Sequence, residues 1–197
     1  TVDRSFADLE ALLCHPLAET ARTQEYWWNG TIEGNVPARN WYDLGWLAQV
    51  DLSSQRVTFR RLREREREYA RFFTELLRML REPGAKNRGA APSGRSYHRI
   101  ARLTRGTFGA DLNVAFSMDK RFRIELYINT PDRERNKLLF DALFARRESV
   151  EKDLGGELDW DRIDEAQVSR IAWYRDTFIT DGPQALTELR AWATQQI

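Results

Sequence analysis

Two sets of residues in this 197-residue chain have the types and spacing that chemistry asks for. The first is a set of carboxylates: Glu125 within the run RFRIELYI, Glu148 and Glu151 within RRESVEKDL, and Asp159, Asp161 and Asp164 soon after. A metal-dependent nuclease gathers such groups on a divalent ion and adds a lysine that steadies the attacking water. No Asp or Glu here is followed two positions later by lysine within a convincing strand, and carboxylates on helices are usually solvated. We therefore expect no catalytic residue. The second set is basic: Lys86, Arg88, Arg95, His98, Arg99, Arg102 and Arg105 meet no acidic residue between Pro83 and Gly109. Cations gathered this way suit a phosphate backbone, and the bland alternative is a solubilising loop with a few ion pairs. Arg121 and Arg123 edge the neighbouring alternating run, so the nucleic-acid-binding candidates are Lys86, Arg88, Arg95, Arg99, Arg102, Arg105, Arg121 and Arg123. Tyr97 and Tyr127 add rings for stacking or for structure.

Other chemistries lack their motifs. His15, His98 and Cys14 are too few and too far apart for zinc, no G-x-S-x-G turn is present, and the glycines of PGAKNRGAAPSGRS do not follow phosphate-loop spacing. No metal or cofactor is expected. Cys14 lies among Leu9, Leu12 and Leu13, which predicts a buried structural thiol. The balance of 31 basic and 30 acidic residues, net charge +1, means that any nucleic-acid affinity must come from a local patch. With 42% hydrophobic and 31% charged residues and no apolar run long enough to cross a bilayer, the chain reads as globular and cytoplasmic. It opens at Thr1 with no basic-apolar signal segment, which we read as an excised portion of a longer protein whose upstream domain holds any chemistry.

These candidates need elements to position them. Residues 5–20 suggest a short helix capped by Ser5 or Asp8, with Phe6, Leu9, Leu12 and Leu13 on one side. Trp27, Trp28, Trp41 and Trp46 lie close to Tyr26 and Tyr42 without interleaved cations, which favours a small aromatic core over a base-stacking platform. A helix over 40–50 and a hairpin over 50–59 follow, compatible with a winged-helix fragment. Residues 60–82 read as a long amphipathic helix in which Tyr69, Phe72, Phe73, Leu76 and Leu80 lie beneath an Arg/Glu exterior. Phe108 to Phe116 and 121–128 alternate as an antiparallel pair. Thr130 and Pro131 then start a helix that runs to Leu154, apolar through Leu139, Leu143, Phe144 and Val150, and stopped by Gly155-Gly156. Short strands over 158–163 and 168–174 and a last helix from Pro183 complete the order.

The IELYI strand, the run RRESVEKDLGGELDW, Ser169-Arg170-Ile171 and Trp192 together resemble the bacterial and archaeal family of domains of unknown function DUF4268, over residues 65–197. The resemblance implies a C-terminal part of a larger protein with restriction-nuclease-like or other defence-associated neighbours, hence a nucleic-acid setting, and carries no catalytic residues to transfer. The extra glycine of the GG pair departs from the pattern.

The expected architecture is α+β, an antiparallel sheet with helices packed on one face over 63–197, preceded by a small helix-plus-hairpin module over 1–62. The expected function is a non-catalytic, nucleic-acid-associated accessory domain that meets DNA or RNA. A protein-interaction or oligomerisation module and a metal-dependent nuclease domain are the alternatives.

Overall fold

Ser5 sets where the first helix begins. Its hydroxyl accepts from the Asp8 N–H at 3.1 Å while the Asp8 carboxylate accepts from the Ser5 N–H at 2.9 Å, a reciprocal capping box. The structure, a computed structural model describing residues 1–29, 41, 44–80, 92, 94–105 and 108–197, joins Val2–Ser5 (β1) to Phe6–Leu13 (α1) through this cap. Only Phe6 of α1 is buried. Leu12 and Leu13 face outward, and Cys14, expected in the core, is exposed at a left-handed C-cap with φ 51°.

The described residues divide into two compact units, the first running to Arg71 and taking in Gly94, the second starting at Phe72 and running on from Arg95 to Ile197. In the first, Glu19–Thr23 (α2) and Tyr26–Asn29 (α3) precede a hairpin of Trp46–Asp51 (β2) and Arg56–Arg61 (β3). Over 46–50 the strand β2 replaces the helix expected over 40–50, of which residues 40, 42 and 43 lie outside the described residues: Trp46 to Val50 alternate across a sheet of order β1-β3-β2, all antiparallel. Asp51 fixes the hairpin turn by accepting from Ser53 N at 2.9 Å and Ser54 N at 3.2 Å. Trp28 is fully buried between Phe6 and Trp41 at ring distances of 5.7 Å. Its indole N–H donates to Ala21 O at 2.7 Å and that of Trp41 to Trp28 O at 3.1 Å, so these rings are core with their polar handles satisfied.

Glu64–Met79 (α4) buries Tyr69, Phe72, Phe73 and Leu76, the spacing read from the sequence. After it come Tyr97–Arg105 (β4), Phe108–Phe116 (β5), Phe122–Ile128 (β6), Arg133–Phe144 (α5), Arg147–Leu154 (α6), Asp159–Asp161 (β7), Ser169–Arg175 (β8) and Pro183–Gln196 (α7). The strands form one antiparallel sheet of order β4-β5-β6-β8-β7, and the fold class is α+β. Strand alternation sends Phe116 and Phe122 toward Phe72 and Phe73 of α4, and Phe122 also meets Trp192 of α7. Ala110, Ile128 and Ile171 form a cluster with Phe140 of α5, and Leu139, Leu143 and Trp160 pack around it.

The helix expected from Pro131 to Leu154 is two helices. Asp132, not Thr130, is the N-cap, its carboxylate accepting from Arg135 N at 3.1 Å. The first helix ends at Phe144, where Arg146 N bonds to Leu143 O at 2.9 Å, a tightened last turn with no proline or glycine to mark it in sequence. Of the expected core residues, Leu139 and Leu143 are half-buried, Phe144 is exposed, and Phe140 carries the contact. The second helix does end as read, at Gly155 with φ 76°.

Two polar side chains of α5 are more buried than most of its apolar ones. Asn136 accepts from Thr130 N at 2.9 Å and Thr130 Oγ1 at 2.7 Å, and donates to Thr130 O at 3.0 Å and Gln167 O at 2.9 Å. Lys137 donates to the carbonyls of Arg162 (2.6 Å), Ile163 (2.8 Å) and Val168 (2.6 Å), with Ser169 Oγ at 3.2 Å. Together they tie the start of α5 to the loop between β7 and β8.

Two stability predictions follow from this packing. Phe140→Ala should cost about 3–5 kcal/mol in urea unfolding, while Leu143→Ala, half-buried, should cost about 1 kcal/mol. Lys137→Met, close in length but without donors, should cost about 3 kcal/mol because it leaves three part-buried carbonyls without this donor; a change under about 1 kcal/mol would show that the clasp is not holding the loop.

Candidate functional site

The pairing of β4 with β5 decides which cations share a face. Strict alternation would put Arg99, Ala101 and Leu103 together and turn Arg102 to the other side. A register shift between Arg99 and Ala101 interrupts the alternation, so that Arg99 lies opposite Asn113 and Arg102 opposite Asp111. Following the register across the sheet gives three rows on one face. The rows are Tyr97, Ala115, Arg123 and Tyr174; then Arg99, Asn113, Glu125, Ala172 and Asp159; then Arg102, Asp111, Tyr127, Arg170 and Asp161.

Of the candidate cations, Arg99, Arg102 and Arg123 are thus brought together. Arg95 sits just before β4, donating to Tyr97 Oη at 2.9 Å with its guanidinium 5.9 Å from that ring. Arg121 lies 4.0 Å over the ring of Tyr174 and pairs with Asp119 at 2.5 Å. Arg105 stands in β4 opposite Phe108, but its side chain, like all of Lys86 and Arg88, lies outside the described residues. The sequence showed a basic stretch free of acids; the sheet supplies the acids from other strands. Asp111 accepts from Arg102 at 2.9 Å and lies 3.7 Å from Arg99, and Glu125 accepts from Arg123 at 2.5 Å.

Sequence reasoning missed Arg170, Asp111 and Asn113. Arg170 pairs with Asp161 at 2.7 Å and approaches Glu125 to 4.0 Å, and Asn113 Nδ2 reaches Glu125 Oε1 at 3.4 Å. Glu125 is 4% exposed and Asn113 7%, so the middle of this face is a buried polar cluster. Burial, with the Glu125 charge adding to it, holds the Tyr127 phenol above its usual range. The signal for these partners is a polar residue at an alternate strand position, which also reads as a solvated face.

The remaining carboxylates have structural duties or lie apart. Glu151 accepts from Leu158 N at 3.0 Å and from the Trp160 indole at 2.9 Å, which holds the turn after Gly155-Gly156 and keeps the carboxyl below its usual range. Asp164 pairs with Arg162, whose carbonyl receives Lys137, and Glu148 is exposed. Among the described residues no group of three or more His, Cys, Asp or Glu is placed to hold a metal ion. Lys137 and Ser169 lie together in the manner of a base and a nucleophile, but Ser169 is fully buried, its hydroxyl donates to Arg162 O at 2.8 Å, and the ammonium is spent on carbonyls. No described helix is long and apolar enough to cross a membrane.

His98, which adds to the basic stretch in sequence, is not a cation of this face. It is 7% exposed, with its ring 6.0 Å from Phe73, and burial, aided by the Arg99 charge, lowers its pKa to about 4. The unfolded chain binds a proton near pH 6.5 that the folded chain refuses until about 4, so stability falls as pH drops through that window and is fully present above it. The expected loss is about 3 kcal/mol by pH 4. It is read as the difference in pH slope between the parent and His98→Phe in urea melts, and equal slopes would show that His98 charges freely in the fold.

No curated protein and no solved structure matches the chain. One family model does, described as a domain of unknown function (DUF4268), over residues 69–192. That span holds all five strands of the larger sheet, the face just described and the helices α5 and α6. It starts within α4 and ends within α7, close to the limits read from the sequence. More than half of the chain is matched, and the protein belongs to the DUF4268 family.

Proposed function

We propose that the domain binds single-stranded nucleic acid weakly and without strong sequence preference, as a non-catalytic accessory part of a larger protein in a restriction or defence setting. The observation that carries this reading is the sheet register, which gathers Arg99, Arg102, Arg123 and Arg170 on one face with Tyr97, Tyr127 and Tyr174. Phosphates take guanidinium groups and bases take aromatic rings, and a strand with unpaired bases offers both without unstacking a duplex.

The cations of this face are not equally available. Arg99 and Arg102 share the single carboxylate of Asp111 and remain 50% and 61% exposed, so one positive charge is in excess and both side chains reach solvent. Exposed pairs of this kind contribute little and exchange readily for a phosphate. Arg123, at 19% exposure against a nearly buried Glu125, is a fixed partner by comparison. The affinity therefore rests on few phosphate contacts, which keeps it low.

Fluorescence anisotropy with labelled single-stranded DNA and RNA tests this. We expect a Kd of about 10⁻⁶ to 10⁻⁴ M at physiological salt, tightening as salt falls. Changing Arg99→Glu and Arg102→Glu together should abolish binding without altering the melting temperature. Unchanged binding in that double variant would overturn the assignment of the face. No binding by the parent at low salt would put the protein-interaction reading ahead, for which the exposed Leu138, Phe144 and Leu154 speak.

A further inference from the structure

The middle of the polar face carries two buried polar atoms without a hydrogen-bond partner among the described residues, Asn113 Oδ1 and Arg170 Nε. Both side chains contact the same carboxylate, Glu125, one from β5 and the other from β8. Buried polar groups are nearly always satisfied, and an orphan acceptor and an orphan donor flanking one carboxylate are complementary to a planar group with both functions on one edge. Among the described residues Glu125 Oε1 receives only the 3.4 Å contact from Asn113, which leaves it room to accept a further N–H.

We propose, resting on the nucleic-acid reading above, that Asn113, Glu125 and Arg170 form a nucleobase subsite. The Watson–Crick edge of a base donates to Asn113 Oδ1 or to Glu125 and accepts from Arg170 Nε, a donor beside an acceptor that each of the bases carries, while the ring lies against Tyr127. A phosphate is a poor occupant, because Glu125 occupies the centre and Asp111 and Asp161 stand in the next row, and an anion would face all three. A base edge is neutral and carries donors and acceptors side by side. Tyr127 is on the same face as Glu125, two residues along β6, and lies in register with Arg170. Entry is past the side chains of Arg123 and Arg170, which are 19% and 22% exposed and lie 2.5 and 4.0 Å from the carboxylate. The phosphates of the strand then fall to Arg99 and Arg102 at the outer strand β4, so that one face divides into a rim that holds the backbone and a centre that holds a base.

The test uses the full chain with two labelled dodecamers of equal length and charge, one bearing bases and one fully abasic. The base-bearing strand should bind about tenfold tighter, and Asn113→Ala should weaken it by about tenfold while leaving the abasic strand unchanged. In the unaltered protein the Arg170 Nε–Hε resonance should shift on adding the base-bearing strand and stay in place with the abasic one. Equal affinity for the two strands, with loss only on reversing Arg99 and Arg102, would overturn the subsite and leave nucleic-acid binding standing. No binding of either strand would remove the nucleic-acid reading and the subsite with it. Should Asn113→Ala fail to fold, an unmoved Arg170 resonance at saturation with the base-bearing strand would overturn the subsite by itself, as would a shift reproduced by a peptide amide and not by the oligonucleotide.

Discussion

Much of the second unit depends on the ammonium of Lys137, which is 4% exposed and surrounded by the carbonyls of Arg162, Ile163 and Val168 and the hydroxyl of Ser169. Burial lowers its pKa, so the surrounding oxygens must compensate for lost water with well-placed hydrogen bonds, and the three protons find more acceptors than they need. The loop they hold contains Ile163 at φ 51°, a conformation that costs a branched residue roughly 1–2 kcal/mol. A clasp of this kind offsets that strain because it draws the carbonyls on both sides of the bend toward one point. Asn136, the preceding residue, completes the tie by bonding Thr130 just after β6 and Gln167 just before β8.

The clasp bears directly on the polar face. Ser169 is held by Lys137, and the next residue is Arg170, whose side chain reaches Asp161 and Glu125. Slippage of β8 by one position would send Arg170 to the face occupied by Ile171 and would turn Ile171 and Ala172 out of their places. The register of the strand is therefore specified twice, by apolar packing against Phe140 and by the fixed point at Ser169. A rigid element of this type is what a cluster of buried polar side chains requires, since their geometry is set to tenths of an ångström only if the strands that carry them cannot shift.

What the sequence revealed follows from where its periods are clean. β5, β6 and β8 alternate without interruption, and α4 keeps its aromatic residues at helical spacing, so each was legible. β4 was not, because its register shift breaks the alternation and its arginines at 99, 102 and 105 read as a charged loop. The helix break after Phe144 has no proline or glycine to announce it, and β2 was hidden by Leu47, Ala48 and Gln49, which suit a helix as well. Asn136 and Lys137 were missed for a different reason: an apolar stripe predicts which residues of a helix are buried only when burial is apolar, and here the two most useful buried side chains are polar. Of the candidate site, the cations on β4 and β6 were legible as residue types, whereas their acidic partners come from sequence-distant positions that only strand pairing brings near.

Those partners change the electrostatics of the face. A stretch of cations with no acid in its sequence suggests a positive field, and a field of that kind collects any polyanion. In the folded sheet the charges alternate across the strands: Asp111 against Arg99 and Arg102, Glu125 between Arg123 and Arg170, Asp161 beyond Arg170. The long-range field largely cancels, and what remains is a pattern of donors and acceptors at short range. Exposure then grades the pattern, from open pairs at β4 to nearly buried ones at β6, so that a ligand exchanges the outer contacts at little cost and meets the inner ones as fixed geometry. A surface graded in this way discriminates by the shape and hydrogen-bonding edge of what it contacts more than by charge, which is why a base with its own donors and acceptors suits its centre better than a bare phosphate.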